Sequence, residues 1–342
     1  MHLSPHRLSP TRLVADAFAL LALASVPTLF TAVLGTGIDF GGVQWPHAVF
    51  RAYVLTSFAI IVLQLTWLAW LVSRRITTSA TSGRTRALLL TALCAEGTLA
   101  LSVYTVVPGG STAGLLISSV LLGWLAYEVC RHHGIPLSAP SGEKDRATRW
   151  RTAYKQTERV YLCILYGAGA TQGAVWLLSW LGPDWLPVMR TSQIEALRAS
   201  GRLELILALP WTIVVEGVVI GTVGILLHTA GRPPWQIYTV IAVPEILFHS
   251  YFGLPAIMMM VYAVLCAQFY IRHHRIGPLL MGHLIVDLIA ISLAGESWAV
   301  RLVAGAGLGA AFFAADRWHG HPKRQLRAPV TGVRSRTTER TP

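Results

Sequence analysis

The stretch Pro244–Ala290 reads PEILFHSYFGLPAIMMMVYAVLCAQFYIRHHRIGPLLMGHLIVDLIA. Its apolar runs carry ionisable residues four positions apart, Glu245 with His249 and His283 with Asp287. Four residues is slightly more than one helical turn, so each pair shares one face of a helix. Titratable groups inside apolar spans are costly and persist mainly where they face one another or a wet cavity. The spacing therefore places the functional centre here, with the rest of the chain built around it.

Composition sets the class. Hydrophobic residues make up 54% of the 342 and charged residues 13%, against about 25% charged in soluble domains. Mean hydropathy is +0.54. Nearly every segment of about 20 residues between the Arg clusters is apolar, the length that crosses a bilayer. The expected fold is an all-α polytopic transmembrane helical bundle of about 8–10 spans. Ten candidates lie near 13–34, 50–73, 87–107, 112–130, 160–181, 203–228, 235–251, 256–271, 276–294 and 297–315. The first is longer than a signal-peptide core and is read as retained.

The net charge of +12 is read as topology and not as a nucleic-acid surface. The N-terminus, 74–86, 131–159, Arg232, 272–275 and the tail fall on one side, which is cytoplasmic by the positive-inside rule. The exception is 182–202, with Arg190, Arg198 and Arg202 on the other side. This is the pattern of a multi-pass cell-membrane protein with both termini cytoplasmic and the lipid bilayer as its partner. Residues 1–159 form N-terminal spans and basic loops, 160–316 a transmembrane core, and 317–342 a disordered basic tail. The later half of 131–159 has helix-forming composition suited to the membrane surface, and TSQIEALR (191–198) reads as a short interfacial helix. Cys94, Cys130, Cys163 and Cys266 are scattered singly, without metal or redox spacing.

A further acid, Glu216, sits near the middle of span six. With Glu245 and His249 on span seven and His283 and Asp287 on span nine, two imidazoles and several carboxylates fall on three helices. That set is enough to bind a divalent metal or to position one water for hydrolysis, with a Glu as general base. Each residue also has a plainer reading. A membrane His often hydrogen-bonds another helix, His283 and Asp287 can satisfy each other, and Glu96 and Glu128 suit a loop Arg or a helix hydroxyl. Their concentration late in the chain favours function.

Over residues 205–295 these segments resemble the CAAX protease and bacteriocin-processing (CPBP, Abi) family of intramembrane metalloproteases, as a divergent actinobacterial-type member. The third family motif is matched by RHHRIGPLLMGHLIVDLIA, with His283 and Asp287 in its two positions, and the second by FHSYFG, with His249. The first, VVEGVVIGTVG, keeps one Glu of a pair, the other being replaced by Gly217 if Glu216 is the first or by Val215 if it is the second; no Arg follows where many members have one, Gly221 is compatible with the Gly-type variant, and Glu245 replaces a residue that is mostly Phe. The resemblance implies a peptidase acting on a membrane-associated, prenylated or leader peptide. Glu216 would activate water, while His249 and His283 would bind Zn2+ or another divalent metal, hold water, or stabilise the oxyanion. Asp287 would complete the cluster, with Glu245 as an outlying metal ligand.

Two other classes stay open: a catalytically degenerate membrane-binding or immunity protein, and a proton- or cation-coupled carrier. Hydrolysis requires Glu216, His249, His283 and Asp287 to converge on one cavity. By the span limits His249 lies near the outer end of span seven, and His283 about 10 Å into span nine from the opposite side. The two meet only if span seven ends deeper, which makes Phe252–Pro255 the critical boundary.

Overall fold

The computed structural model describes residues 9–78, 82–106, 112–138, 145–183, 185–190 and 201–294, together with 195, 199, 296–297, 299–300, 303–307, 309–311 and 314. It is 87% helical, with no strand among the described residues. The helices are α1 (Pro10–Gly41), α2 (His47–Thr78), α3 (Gly83–Val106), α4 (Thr112–His132), α5 (Arg146–Leu181), α6 (Arg202–Thr229), α7 (Pro234–Phe248), α8 (Met259–His273) and α9 (Ile276–Ser292). Six helical segments are long and apolar enough to cross a membrane. The protein is thus an all-α polytopic bundle. The sequence-predicted interfacial helix 191–198 (apart from residue 195), the tail 317–342 and part of span ten lie outside the described residues.

Several boundaries differ from the hydropathy reading. The segment expected along the membrane surface after residue 145 is continuous with span five, giving a single 36-residue helix. No Gly or Pro interrupts 146–166, and Asp145 caps the start by accepting the Thr148 N–H at 3.0 Å. That bond, and a second from the Thr148 hydroxyl, holds the Asp145 carboxyl below its ordinary range. At the other extreme, α7 has only 15 residues, about 22 Å. It ends at Phe248 and is followed by 3-10 turns at Ser250–Phe252 and Leu254–Met258.

That early ending is held from two sides. The Thr36 hydroxyl of α1 lies 2.7 Å from that of Ser250. Residues 187–189 pair with the turn through Met189 N–H to Phe252 O (3.1 Å) and Leu254 N–H to Pro187 O (2.8 Å). Gly253 has φ +74 and lies against the Pro187 carbonyl, where a side chain has no room.

The two sequence portions share one core. Leu13, Leu20 and Leu121 pack in the same cluster as Val219, Tyr262 and Leu279. Helix α1 lies against α6 and α7, α4 runs along α6, and α5 is wedged between α8 and α9. Glycines allow the closest approaches: Gly167 of α5 backs onto the Tyr262 main chain, Gly282 of α9 onto Val160, and Gly217 of α6 onto Leu280. At one end of the bundle Glu128 is paired with Arg75 (2.5 Å) and Arg131 (3.4 Å), and Asp16 with His133 (2.6 Å). Exposed Trp180, Trp185 and Trp235 suit the headgroup region.

Two outcomes follow. Gly167→Ala should lower stability by about 1–3 kcal/mol through overpacking against Tyr262, whereas Gly169→Ala, which meets nothing within 4 Å, should leave it unchanged or slightly raised; thermal unfolding in detergent reads both. Because its folded pKa is depressed, the Asp145 cap contributes above the ordinary aspartate range and is lost as pH falls through the depressed value. Amide exchange in the first turn of α5 should therefore rise in acid, and Asp145→Ala should abolish the dependence.

Candidate functional site

Four of the sequence-predicted residues come together. Glu216 closes the regular part of α6 and is followed by a π-helical segment, Gly217–Val223. This wider turn, a form often found at functional sites, sits where Gly217 and Gly221 let α9 approach. His283 and Asp287 are successive turns of α9, and His283 Nε2 lies 3.3 Å from both Glu216 Oε2 and Asp287 Oδ2. Glu216 and His283 are only 3% and 7% exposed.

Tyr262 of α8 joins the two. Its hydroxyl donates to Glu216 Oε2 at 2.6 Å and lies 3.3 Å from His283 Nδ1. With the phenol proton committed to Glu216, the phenol oxygen is left to accept, so Nδ1–H is the donor toward it. The other ring nitrogen then faces the two carboxylates, and a proton arriving on Nε2 lies between them. Asp287 Oδ2 makes no hydrogen bond within the described chain.

His249 is the C-cap of α7. Its Nδ1 lies 2.9 Å from the Glu245 carbonyl one turn back. A carbonyl only accepts, so this contact fixes the proton on Nδ1 and leaves Nε2 as the free nitrogen. The ring stacks on Phe252 at 6.3 Å and 8°. The shortened α7 thus carries His249 to the depth of the cluster, resolving the conflict between the two span depths.

These groups line the wall between two cavities. One, about 370 Å3, runs between α1, α4, α6, α7 and α9; the other, about 170 Å3, lies between α5, α8 and α9. Glu216, His249, His283 and Asp287 line both, as do Tyr251 and Ala290.

Glu245 is not in the wall of either cavity. It is fully buried (0% exposed), and neither carboxylate oxygen has a hydrogen-bond partner within the described chain. Its electrostatic neighbours are Glu216, Tyr262 and Cys266. Among the described residues, no group of three or more His, Cys, Asp or Glu side chains is arranged to hold a metal ion.

Tyr262 is the member of the cluster that sequence reasoning missed. Its one signal is a phenol inside an otherwise apolar span, where the hydroxyl has to find a partner; nothing in the spacing says which. Glu128 and Asp16, by contrast, are taken up by ion pairs away from the cavities.

Comparison with known proteins finds no matching family model, no similar curated protein and no similar solved structure.

Tyr262→Phe would leave Glu216 Oε2 and His283 Nδ1 without their shared partner. The expected loss is about 1–3 kcal/mol of stability. In a double-mutant cycle with Glu216→Gln, the two changes should be non-additive by about 0.5 kcal/mol or more. Strict additivity would mean that the hydroxyl does not hold the carboxylate.

Proposed function

We propose that the protein is an intramembrane peptidase that hydrolyses a peptide bond of a membrane-associated substrate. The reading is supported above all by one observation: Glu216, His249, His283 and Asp287 line both cavities at their common wall. The motif resemblance to the CPBP family points the same way. So does the arrangement of an acid oriented by a phenol beside an imidazole that faces a second acid.

In this mechanism a water enters from the larger cavity and is held by Glu216 and Asp287. Glu216 takes a proton as the water oxygen bonds to the scissile carbonyl carbon. Tyr262 keeps the acting carboxylate in place and His283 supports both acids. As the tetrahedral intermediate collapses, the C–N bond breaks and the proton passes from Glu216 to the leaving nitrogen. His249, fixed through Nδ1, presents Nε2 as a second proton-transfer group. Burial raises the strength of each of these interactions over its value in water.

The same proposal places the Arg-rich ends of the helices, and both termini, on the cytoplasmic side. The substrate's scissile bond would then reach the cluster from within the bilayer.

Glu216→Gln tests the assignment. Purified wild type and variant, reconstituted in liposomes, are given a mass-coded library of apolar peptides. Wild type should release products, and the variant should lose at least about 100-fold in rate. Equal rates would remove Glu216 as the base. Binding without cleavage by wild type would instead make the protein a membrane peptide-binding protein.

A further inference from the structure

The smaller cavity differs in character from the larger one. Its α5 wall is Tyr161, Ile164, Ala168 and Gly169, and its α9 wall includes Val286 and Ile289. Two of its polar groups are already committed. The Tyr161 hydroxyl donates to the Gly305 carbonyl at 2.6 Å, and that of Thr171 to the Gly167 carbonyl at 2.9 Å. Apart from the residues shared with the larger cavity and Tyr262, whose hydroxyl is committed to Glu216, the half-buried Gln172 is the remaining polar side chain in the described lining. The larger cavity also has apolar walls, Leu205, Leu209, Trp211 and Phe248 among them, but adds Thr28, Thr212 and, at its exposed rim, Glu204, and the buried Thr28 hydroxyl has no hydrogen-bond partner within the described chain. One side of the cluster therefore suits a polar backbone and the other an apolar group.

Volume sets the size of that group. An apolar cavity of about 150 Å3 holds a benzene-sized ligand. At about 170 Å3 the smaller cavity has room for one large side chain and not for a long hydrocarbon. Gly169 keeps it open: a Cβ built there meets nothing within 4 Å, although helix propensity favours almost any other residue at a mid-helix position.

The geometry points to a specificity subsite. The α5–α8–α9 cavity takes a single bulky apolar side chain, of Phe, Leu or Met type, from the residue next to the scissile bond. The backbone on the other side of that bond lies in the larger cavity. Gly169 and Val286 set the size limit. This assignment rests on the peptidase reading, since it takes the shared cluster as the place where the bond is cut.

The test reads binding separately from cleavage. Glu216→Gln protein, in nanodiscs, is titrated with fluorescein-labelled Ala/Ser peptides in which a single Phe is moved along the chain, and with the parent lacking Phe. At one register the Phe peptide should bind at least about tenfold tighter than the parent, as expected for a large apolar group entering a fitted pocket. Adding Gly169→Leu should bring the ratio close to one. Val286→Phe, which fills the cavity from the opposite wall, should do the same and guards against a folding defect in either variant. No Phe preference at any register, or a preference that both filling variants leave intact, would overturn the subsite. Wild type is assayed for cleavage of the same peptides. A Phe preference without any cleavage would sink the peptidase reading and leave the pocket assignment standing.

Discussion

The hydrogen bond from Tyr262 to Glu216 is the contact on which the centre of the molecule depends. It joins α8 to α6 at the point where an acid has been taken out of water, and the same phenol oxygen reaches α9 through His283. A buried carboxylate without such a donor is costly enough to reorganise its surroundings. With it, three helices have a common polar point inside an apolar bundle. Close approach at Gly167, Gly217 and Gly282 is what makes that point reachable. In a bilayer no hydrophobic gain separates helix–helix from helix–lipid contact, so fit of this kind decides which helices meet.

The cluster is supported unevenly, and that unevenness has chemical content. Glu216 and His283 are tied to Tyr262, and His249 is tied to its own helix and to Phe252. Asp287 has the approach of His283 but a carboxylate oxygen with no hydrogen bond in the described chain. Such an atom at a cavity wall is where an incoming water or substrate group gains most. Glu245 is the contrasting case, equally unpartnered but sealed away from both cavities.

Much of this was legible in the chain before its structure. Apolar length gave the membrane class, and the four-residue spacings placed His283 with Asp287 because helical periodicity is local. The positions of the spans were also largely readable. What the pattern could not supply was where helices end against tertiary contacts. Span seven looks continuous through Tyr251 because Ser250 and Tyr251 suit a helix. It stops at Phe248 because α1 and residues 187–189 hold the following turn. Tyr262 was illegible for a related reason: its partners are 46 and 21 residues away, and only the packing of α6 against α8 and α9 brings them close.

The clamp on the Ser250–Leu254 turn has a consequence for biogenesis. Both of its anchors, Thr36 and residues 187–189, precede Glu216 in the chain, whereas every titratable group of the cluster lies at or after it. Chains are made and inserted from the N-terminus. The N-terminal scaffold is therefore made before the side chains of the cluster leave the ribosome. The last helices to emerge, α8 and α9, are the ones that complete the cluster, against walls already standing.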